Sequence, residues 1–329
     1  MLEKIFEHAD TTLDDLVSGG LSYLGASQFD DGSITPDLDK PVFKYWDSVN
    51  ALKGISLWRD VAGPGFDTTV AGVLAFLQAS EKPNGLLGPG VVTPSSPQYS
   101  AETSWEYIGC LARLGLTDRV RPKLDVLLKR QQPDGPWEEA YTYIPRAFQR
   151  VPSVTGFALS TLYEIDEDPL YLDEALDFLV RAQHPDGHFG LNWFYYNTHF
   201  YLTRPITAAL VGFGYPSPVA RTRDFVLSQQ RPDGSWFTHV EGFGVSSSVE
   251  LHTALALETL AHAGVDATEP AVQHGLLWLI DRQRPDGRWY GGPFPFPPTE
   301  SYRGITSPQD VYATAQVLTT FRRFADLDG

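Results

Sequence analysis

The chain carries the octapeptide RQQPDGPW at residues 130–137, and three close copies follow it. The copies read AQHPDGHF at 182–189, QQRPDGSW at 229–236 and RQRPDGRW at 282–289, and two weaker copies precede them, ASQFDDGSI at 26–34 and ASEKPNGLL at 79–87. The same place in each copy holds a glycine: Gly32, Gly85, Gly135, Gly187, Gly234 and Gly287, at intervals of 53, 50, 52, 47 and 53 residues. Self-similarity at a fixed period of about 50 residues indicates a repeat architecture.

Each repeat contains two predicted helices joined through the turn. Before the fourth turn, YLDEALDFLVRAQ (171–183) places Leu172, Leu176 and Leu179 at helical spacing, and charged residues fill its other face. The Pro-Asp-Gly unit that follows ends the helix, because it supplies a rigid φ, a side chain that bonds its own turn and a residue able to adopt positive φ. The second helices are small and apolar, and we expect them to start near Tyr45, Ser104, Ser153, Arg204, Val249 and Gln309.

The contrast between the two kinds of helix predicts their position in the fold. A helix that is apolar on most sides is buried, whereas one with a charged face lies outside. Six pairs of an inner and an outer helix predict an all-α fold, an (α/α)6 barrel that occupies residues 1–329 as a single domain. The last inner helix, at about 309–324, is expected to close the ring against the first outer helix, at about 12–28. An open solenoid is the alternative, but no polar capping repeat is evident.

The recurring Q-x-P-D-G-x-W/F unit resembles the QW motif of the superfamily that contains the squalene–hopene cyclases, the oxidosqualene cyclases and the prenyltransferase β-subunits. The copies span residues 26–289. The resemblance implies a terpenoid cyclase-like toroid in which the motif's glutamines and aromatic residues are structural pairs. It does not by itself define a reaction, because one fold hosts many functions.

Triterpene cyclases of this superfamily carry a D-x-D-D-T-A type motif whose carboxylic acid protonates an alkene. Here the segment VELHTA (249–254) retains only the Thr-Ala pair, and DVYATA (310–315) retains the first acid. The motif is therefore incomplete, and we take Asp310 and Glu250 as candidate catalytic acids, with His252 as a base or as an orienting partner.

Aromatic residues are concentrated in the segments that follow the turns and at the starts of the inner helices. Aromatic faces stabilise cations and pack apolar chains, so these segments predict an apolar pocket for an isoprenoid or polyene. Arg204 is a candidate for an anionic head group of the substrate. The candidate substrate-binding residues are Trp46, Asp47, Trp105, Glu106, Trp193, Tyr196, His199, Tyr201, Arg204, Phe243, Tyr302 and Tyr312.

The composition excludes several classes of partner. The net charge of −16 disfavours nucleic acid and anionic membrane surfaces, which require clustered cations. Cys110 is the single cysteine and lies in an apolar stretch, so we expect a core residue and neither a metal nor a cofactor. No signal peptide or membrane span is evident, which predicts a cytoplasmic protein. A homodimer or another partner that caps the open face of the barrel is a further expectation.

Three functions remain open on the sequence. The first is a terpenoid cyclase or isomerase that protonates its substrate. The second is a carbohydrate-active enzyme, a glycosidase or lyase, since (α/α)6 barrels also host these. The third is a non-catalytic protein that binds an isoprenoid.

Overall fold

The computed structural model describes residues 2–36, 44–88, 99–140, 149–191, 196–238, 247–293 and 308–328. Helices dominate this part of the chain, and its extended pairings are isolated bridges across the turns, such as Gln28 with Ile34. A short helix α1 (Leu2–Phe6) begins the described chain and packs on the last outer and last inner helices. The all-α prediction is confirmed.

Six of the described helices form an inner ring. They are α3 (Lys44–Leu57), α6 (Ala101–Arg113), α8 (Pro152–Glu164), α10 (His199–Gly212), α12 (Val249–His262) and α14 (Asp310–Asp328). Each packs against its two neighbours in this order, and α14 packs back on α3, so the ring is closed. Most residues of these helices are buried, which explains why they read as small and apolar on all sides.

A second set of described helices surrounds the ring. These outer helices are α2 (Leu13–Ala26), α5 (Asp67–Ala79), α7 (Thr117–Leu128), α9 (Leu172–Ala182), α11 (Pro216–Ser228) and α13 (Pro270–Ile280). A short helix α4 (Arg59–Ala62) and a 3-10 turn (Pro64–Phe66) lead into α5. The final inner helix α14 contacts the first outer helix α2, as the sequence predicts.

The glutamine of each turn ties one outer helix to the next. The side-chain amide of Gln283 donates to the carbonyl of Gly287 in its own turn at 3.0 Å and to the carbonyl of Leu16 in α2 at 2.9 Å. The same pair of bonds recurs at Gln28, Gln131, Gln183 and Gln230, each time to the turn glycine and to the following outer helix or the residue that begins it. The bond from Gln283 to Leu16 closes the outer ring.

The second turn uses an ion pair where the others use an amide. Glu81 stands in the position of the glutamine, and its carboxylate lies 2.9 Å from Nζ of Lys123 and 3.8 Å from Arg119 on the next outer helix, α7. It also accepts a hydrogen bond from the hydroxyl of Tyr107 at 3.2 Å. The weaker copy of the motif therefore keeps the link between outer helices with a different chemistry.

The tryptophan of the motif holds the turn to both layers of helices. The indole N–H of Trp289 donates to the carbonyl of Leu279 at 2.7 Å, and its backbone N–H donates to the hydroxyl of Thr314 on α14 at 3.1 Å. Trp137 and Trp236 make the equivalent bonds, with Thr155 and Thr253 as the inner-helix hydroxyls. Each of these three turns thus satisfies a carbonyl at the end of an outer helix and fixes the height of the next inner helix.

The turn glycines generate the first prediction. Gly287 has φ 86°, and a Cβ at this position would lie 2.0 Å from the carbonyl oxygen of Gly19. Gly85 has φ 77°, but the nearest atom to its Cβ position is Cγ of the flexible Lys123 side chain at 3.6 Å. Gly85→Ala should therefore cost about 1–2 kcal/mol of unfolding free energy from its left-handed backbone alone. Gly287→Ala should cost substantially more, because the backbone of α2 must also move.

Chemical denaturation of the two variants and the parent chain tests this comparison. Equal losses for the two alanine variants would contradict the close approach of the turn to α2.

Candidate active site

Five aromatic side chains meet on the axis of the barrel, near the N-terminal ends of the inner helices. The ring centroid of Trp46 lies 5.3 Å from that of Tyr312, 6.1 Å from that of Phe157 and 6.3 Å from that of Tyr201. Tyr196 lies 5.0 Å from Tyr201 and 5.1 Å from Tyr312. Helices α3 and α10 face each other across the ring, so the contact between Trp46 and Tyr201 crosses the axis. We call these five residues the aromatic layer.

A buried glutamate adjoins this layer. Glu102 lies in the first turn of α6 and is 3% exposed. Its carboxylate accepts hydrogen bonds from the hydroxyl of Ser153 on α8 at 2.6 Å and from the hydroxyl of Tyr201 on α10 at 2.7 Å. Burial raises the pKa of Glu102 to about 7, although the two hydroxyl donors and the more distant Arg204 lower it. A substantial fraction of this carboxyl is therefore protonated at neutral pH.

A second buried glutamate lies behind Glu102. The carboxylate of Glu139, two residues after Trp137, accepts the backbone N–H of Ala101 at 2.8 Å and that of Glu102 at 3.0 Å. It thereby caps the N-terminus of α6. Burial raises the pKa of Glu139, and the neighbouring Glu102 raises it further.

Asp47 is a third buried acid in this region. It follows Trp46 in the first turn of α3 and is fully buried. Its Oδ2 accepts a hydrogen bond from the hydroxyl of Thr35 at 3.1 Å, whereas its Oδ1 finds no hydrogen-bond partner among the described residues. Burial raises the pKa of Asp47 well above its ordinary value, and the charge of Asp310 acts in the same direction.

Ion pairs fill the axis on the other side of the aromatic layer. The guanidinium of Arg204 lies 3.4 Å from Glu106 and 3.6 Å from Glu258, and it sits 5.0 Å from the ring centroid of Phe157. Lys53 lies 3.1 Å from Glu106. All four charged side chains are at most 10% exposed. Burial opposes the charge on Glu258, but Arg204 holds the pKa of this carboxyl well below its usual range.

The network continues toward the C-terminal ends of the inner helices. Glu258 accepts a hydrogen bond from Gln316 and lies 4.0 Å from Arg323, and Arg323 pairs with Glu164 at 3.1 Å. Arg113 reaches the same Glu164 at 3.2 Å. Each of the six inner helices contributes at least one polar side chain to this axial network, which is unlike the apolar funnel that a long hydrocarbon requires.

The three sequence candidates for catalysis lie around the layer rather than within it. Asp310 accepts the backbone N–H of Gly291 at 2.7 Å and pairs with Arg288 at 3.2 Å. Glu250 is half-buried. The positive charges that act on its carboxyl are those of Arg282 and Arg284, which belong to the turn before α14. Their catalytic role stays a prediction.

His252 bonds through both ring nitrogens. Nδ1 accepts the backbone N–H of Thr238 at 3.1 Å, so the proton sits on Nε2, which faces the carbonyl of Tyr196 at 3.2 Å and the hydroxyl of Ser247 at 2.9 Å. Burial lowers the pKa of His252 to about 3, so the ring is neutral. These contacts hold Tyr196, whose φ of 60° places it in the left-handed region.

The structure brings four predicted substrate-binding residues together in the aromatic layer: Trp46, Tyr196, Tyr201 and Tyr312. Asp47 lies beside them, while Glu106 and Arg204 lie in the axial network and bind each other. Trp105 packs edge-on against Trp137, with ring centroids 5.7 Å apart. The ring centroids of His199 and His188 lie 4.5 Å apart. Trp193, Phe243 and Tyr302 lie outside the described residues.

Glu102, Glu139 and Ser153 are not among the residues that the sequence predicts for the site. No local pattern marks them, because Glu102 comes from one repeat, and Glu139 and Ser153 come from the next repeat. Cys110 is a buried core residue whose Sγ lies 3.7 Å from the carbonyl of Val49. Within the described part of the chain, no group of three His, Cys, Asp or Glu residues is placed to hold a metal ion. No described helix is both long and apolar enough to cross a membrane.

The sequence matches known terpene cyclases. The family model of the squalene–hopene cyclase C-terminal domain matches residues 149–297. Enfumafungin synthase from Hormonema carpetanum is 30% identical over 131 residues, which are 36% of this chain and 10% of that protein. Drimenyl diphosphate synthase from Streptantibioticus cattleyicolor is 27% identical over 175 residues, 51% of this chain and 31% of that protein. The chain thus spans less than a third of these curated relatives.

Solved structures share the fold over the whole length. The type II terpene cyclase MstE from Scytonema has a TM-score of 0.74 and 17% identity, with 99% of both chains covered. A glycosidase also has this fold, with a TM-score of 0.61, 17% identity and 98% of each chain covered. The fold is therefore common to two classes of enzyme. Residues 149–297 are similar to the squalene–hopene cyclase C-terminal domain, and the described chain shares its fold with a type II terpene cyclase.

The axial network generates the second prediction. Arg204→Met should lower the unfolding free energy by about 3–5 kcal/mol, because it leaves Glu106 and Glu258 as buried carboxylates without their shared partner. Arg121→Met is the matched control, since Arg121 pairs with Asp125 at 2.8 Å and with Glu167 at 2.9 Å on an exposed face. The control should cost at most about 1 kcal/mol.

Urea denaturation at neutral pH measures both losses. A loss for Arg204→Met as small as that of the control would show that the axial charges do not depend on Arg204.

Proposed function

We propose that the protein is a proton-initiated terpenoid cyclase or isomerase that acts on an isoprenoid or another polyene, and that Glu102 is the proton donor. The observation that carries the proposal is the hydrogen bond between this buried carboxyl and the aromatic layer. Of the buried acids near the layer, Glu102 has a direct bond to one of its members, through the hydroxyl of Tyr201 at 2.7 Å.

The proposed chemistry follows from these groups. The O–H proton of Glu102 is transferred to one carbon of a terminal alkene, a new C–H bond forms from the alkene π electrons, and the carboxylate stays behind on Glu102. The adjacent carbon becomes a carbocation, which the next double bond can attack to close a ring. Loss of a proton from the last cation to a base or to water ends the sequence, so the reaction is redox-neutral.

The aromatic layer suits the cationic intermediates of such a reaction. Faces of Trp and Tyr rings attract cations electrostatically, and the attraction is stronger where water is absent. Trp46, Tyr201 and Tyr312 are all buried. The hydroxyls of Ser153 and Tyr201 also stabilise the carboxylate that remains after proton transfer, which lowers the cost of donating the proton.

The relatives support the choice of substrate class. The matched curated proteins include a drimenyl diphosphate synthase and a squalene–hopene cyclase, and one structure with this fold is MstE in complex with its substrate geranylgeranyl dihydroxybenzoate. The axial network confines any apolar substrate of this chain to the side of the aromatic layer where the inner helices begin. We therefore propose that the substrate binds over the layer, beside Glu102.

The third prediction tests the proton donor. Glu102→Gln should lower turnover of an accepted polyene by about 100-fold or more, because the amide cannot supply the proton. Glu250→Gln is the matched control and should keep most of the activity, since Glu250 is only half-buried and its carboxyl lies in the field of Arg282 and Arg284. Asp310→Asn tests the acid that the incomplete motif indicates. If Glu102→Gln stays active and Asp310→Asn or Glu250→Gln does not, the proton donor is Asp310 or Glu250 and the proposal for Glu102 is wrong.

A substrate screen precedes these kinetics. Thermal-shift measurements with prenyl diphosphates, squalene-like polyenes and oligosaccharides identify the class that binds, and product analysis by mass spectrometry follows. Stabilisation by a polyene with a cyclised or isomerised product supports the proposal. Binding of a polyene without any product indicates a binding protein, and stabilisation by oligosaccharides alone indicates a carbohydrate-active enzyme.

The fourth prediction concerns pH. Burial raises the pKa of Glu102 to about 7, and only its protonated form can donate. Turnover should therefore be highest below this pKa and should fall as the pH rises through it. A rate that rises with pH across the same interval would identify a base, and not an acid, as the essential group.

A further inference from the structure

A small cavity lies within the axial network, beyond the aromatic layer and toward the C-terminal ends of the inner helices. All six inner helices contribute side chains to its wall, and Phe157 separates it from the rest of the layer. Its volume is about 30 Å³, which is enough for a particle the size of a water molecule or slightly larger. The cavity is therefore a site for a very small ligand and not for a polyene.

The charged side chains that line this cavity do not balance. The cations are Lys53, Arg113, Arg204 and Arg323. The carboxylates are Glu106, Glu164 and Glu258. Arg113 and Arg323 oppose the effect of burial and hold the pKa of Glu164 below its usual range, and Arg204 does the same for Glu258. Four cations against three carboxylates leave an excess of one positive charge around the cavity.

The neighbouring titratable groups do not remove this excess. Burial lowers the pKa of His262, which lines the cavity, so its ring is neutral at neutral pH. Asp326 is half exposed and pairs with Arg322 at 2.9 Å, where water screens its charge. Glu102 does not line the cavity and bonds the hydroxyl of Tyr201 instead. An unbalanced charge away from water is costly, so the cavity favours a negative particle.

The wall of the cavity also has more hydrogen-bond donors than acceptors. Nε of Arg204, Nη1 of Arg113 and Nε of Arg323 are buried and find no hydrogen-bond partner among the described residues. Oε1 of Glu258 is the acceptor in the same condition, and it lies 3.5 Å from Nε2 of His262 and 4.0 Å from Nε of Arg323. The Arg204 side chain is only 4% exposed, so bulk water does not solvate its Nε. A ligand that only accepts hydrogen bonds suits this surplus of donors.

We propose that this cavity is a binding site for a halide ion, with chloride as its ordinary ligand. The excess positive charge attracts the ion, and the arginine N–H groups replace the water that the ion gives up. The small volume discriminates against larger anions such as sulfate and gluconate. The ion lies across Phe157 from the side where the proposed polyene binds, so its binding requires no substrate.

The ion has a route to the cavity from the surface. A wider groove of about 780 Å³ shares Gly109, Arg113, Glu164 and Arg323 with the cavity wall. The side chains of Arg113 and Arg323 are about a quarter exposed, so they stand at the boundary between the groove and the cavity. Exchange of the ion with the solvent therefore needs movement of these two side chains and not opening of the ring.

The first experiment is urea denaturation at neutral pH in sodium chloride or sodium bromide, with sodium gluconate used to keep the ionic strength constant. A ligand that binds only the folded chain stabilises it in proportion to its occupancy. The unfolding free energy should therefore rise with halide concentration and follow a binding curve. Equal stability in halide and in gluconate would overturn the halide site and leave water as the occupant.

Three variants test the charge excess. Arg113→Met removes it, so the halide concentration needed for half of the stabilisation should rise by about tenfold or more. Glu164→Gln enlarges the excess, so this concentration should fall. Arg121→Met is the matched control and should leave it unchanged, because Arg121 lines the groove but not the cavity. Changes in the same direction for Arg113→Met and Glu164→Gln would overturn the charge excess as the cause of binding.

The second experiment locates the ion and needs no variant. Crystals of the parent chain soaked in sodium bromide should show an anomalous-scattering peak in the cavity, within hydrogen-bond distance of Nε of Arg204. Bromide peaks at the protein surface alone indicate an adventitious ion only and would overturn the site.

Discussion

The side-chain amide of the turn glutamine is the interaction on which the architecture depends. It bonds the turn glycine and the start of the next outer helix at the same time, and each such bond contributes about 0.5–1.5 kcal/mol. Gln283 makes the decisive pair, because its bond to Leu16 joins the last repeat to the first. A repeat protein otherwise leaves two open ends. In three of the turns, a tryptophan then sets the height of the next inner helix through a Thr hydroxyl.

The starts of α3, α10 and α14 lie at one level on the barrel axis, and this has a chemical consequence. Residues in the first turns of non-adjacent helices meet on the axis, as Trp46 and Tyr201 do, and these contacts form the aromatic layer. One turn further along, the axis holds Arg204 with Glu106 and Glu258. Buried charges tolerate the loss of water only when they are paired. The barrel is therefore divided along its axis into an aromatic part with protonatable acids and a polar part that an isoprenoid would not enter.

Much of the fold was predictable from local patterns. The six glycines defined the period, the contrast of charged and apolar helices separated outer from inner, and the closure of α14 on α2 followed from the count of repeats. Trp46, Tyr196, Tyr201 and Tyr312 were predicted to share a site because aromatic residues are concentrated at the inner-helix starts and in the segments that follow the turns. Glu81 shows the limit of the motif: its link to Lys123 on the next outer helix replaces the amide bonds, and a search for glutamine overlooks it.

The sequence by itself determined the period, the order of the helices, the closed ring and the aromatic character of its centre, because these depend on residues at regular spacings within each repeat. Only the tertiary structure decided which acids are buried beside the aromatic layer. Glu102 belongs to one repeat, whereas Glu139 and Ser153 belong to the next, and their separation along the chain carries no periodic signal. It also decided that Asp310 pairs with Arg288, and that Arg204 pairs with Glu106 and Glu258. Burial and the identity of a charged partner set the protonation state of a carboxyl, and both are properties of the folded ring.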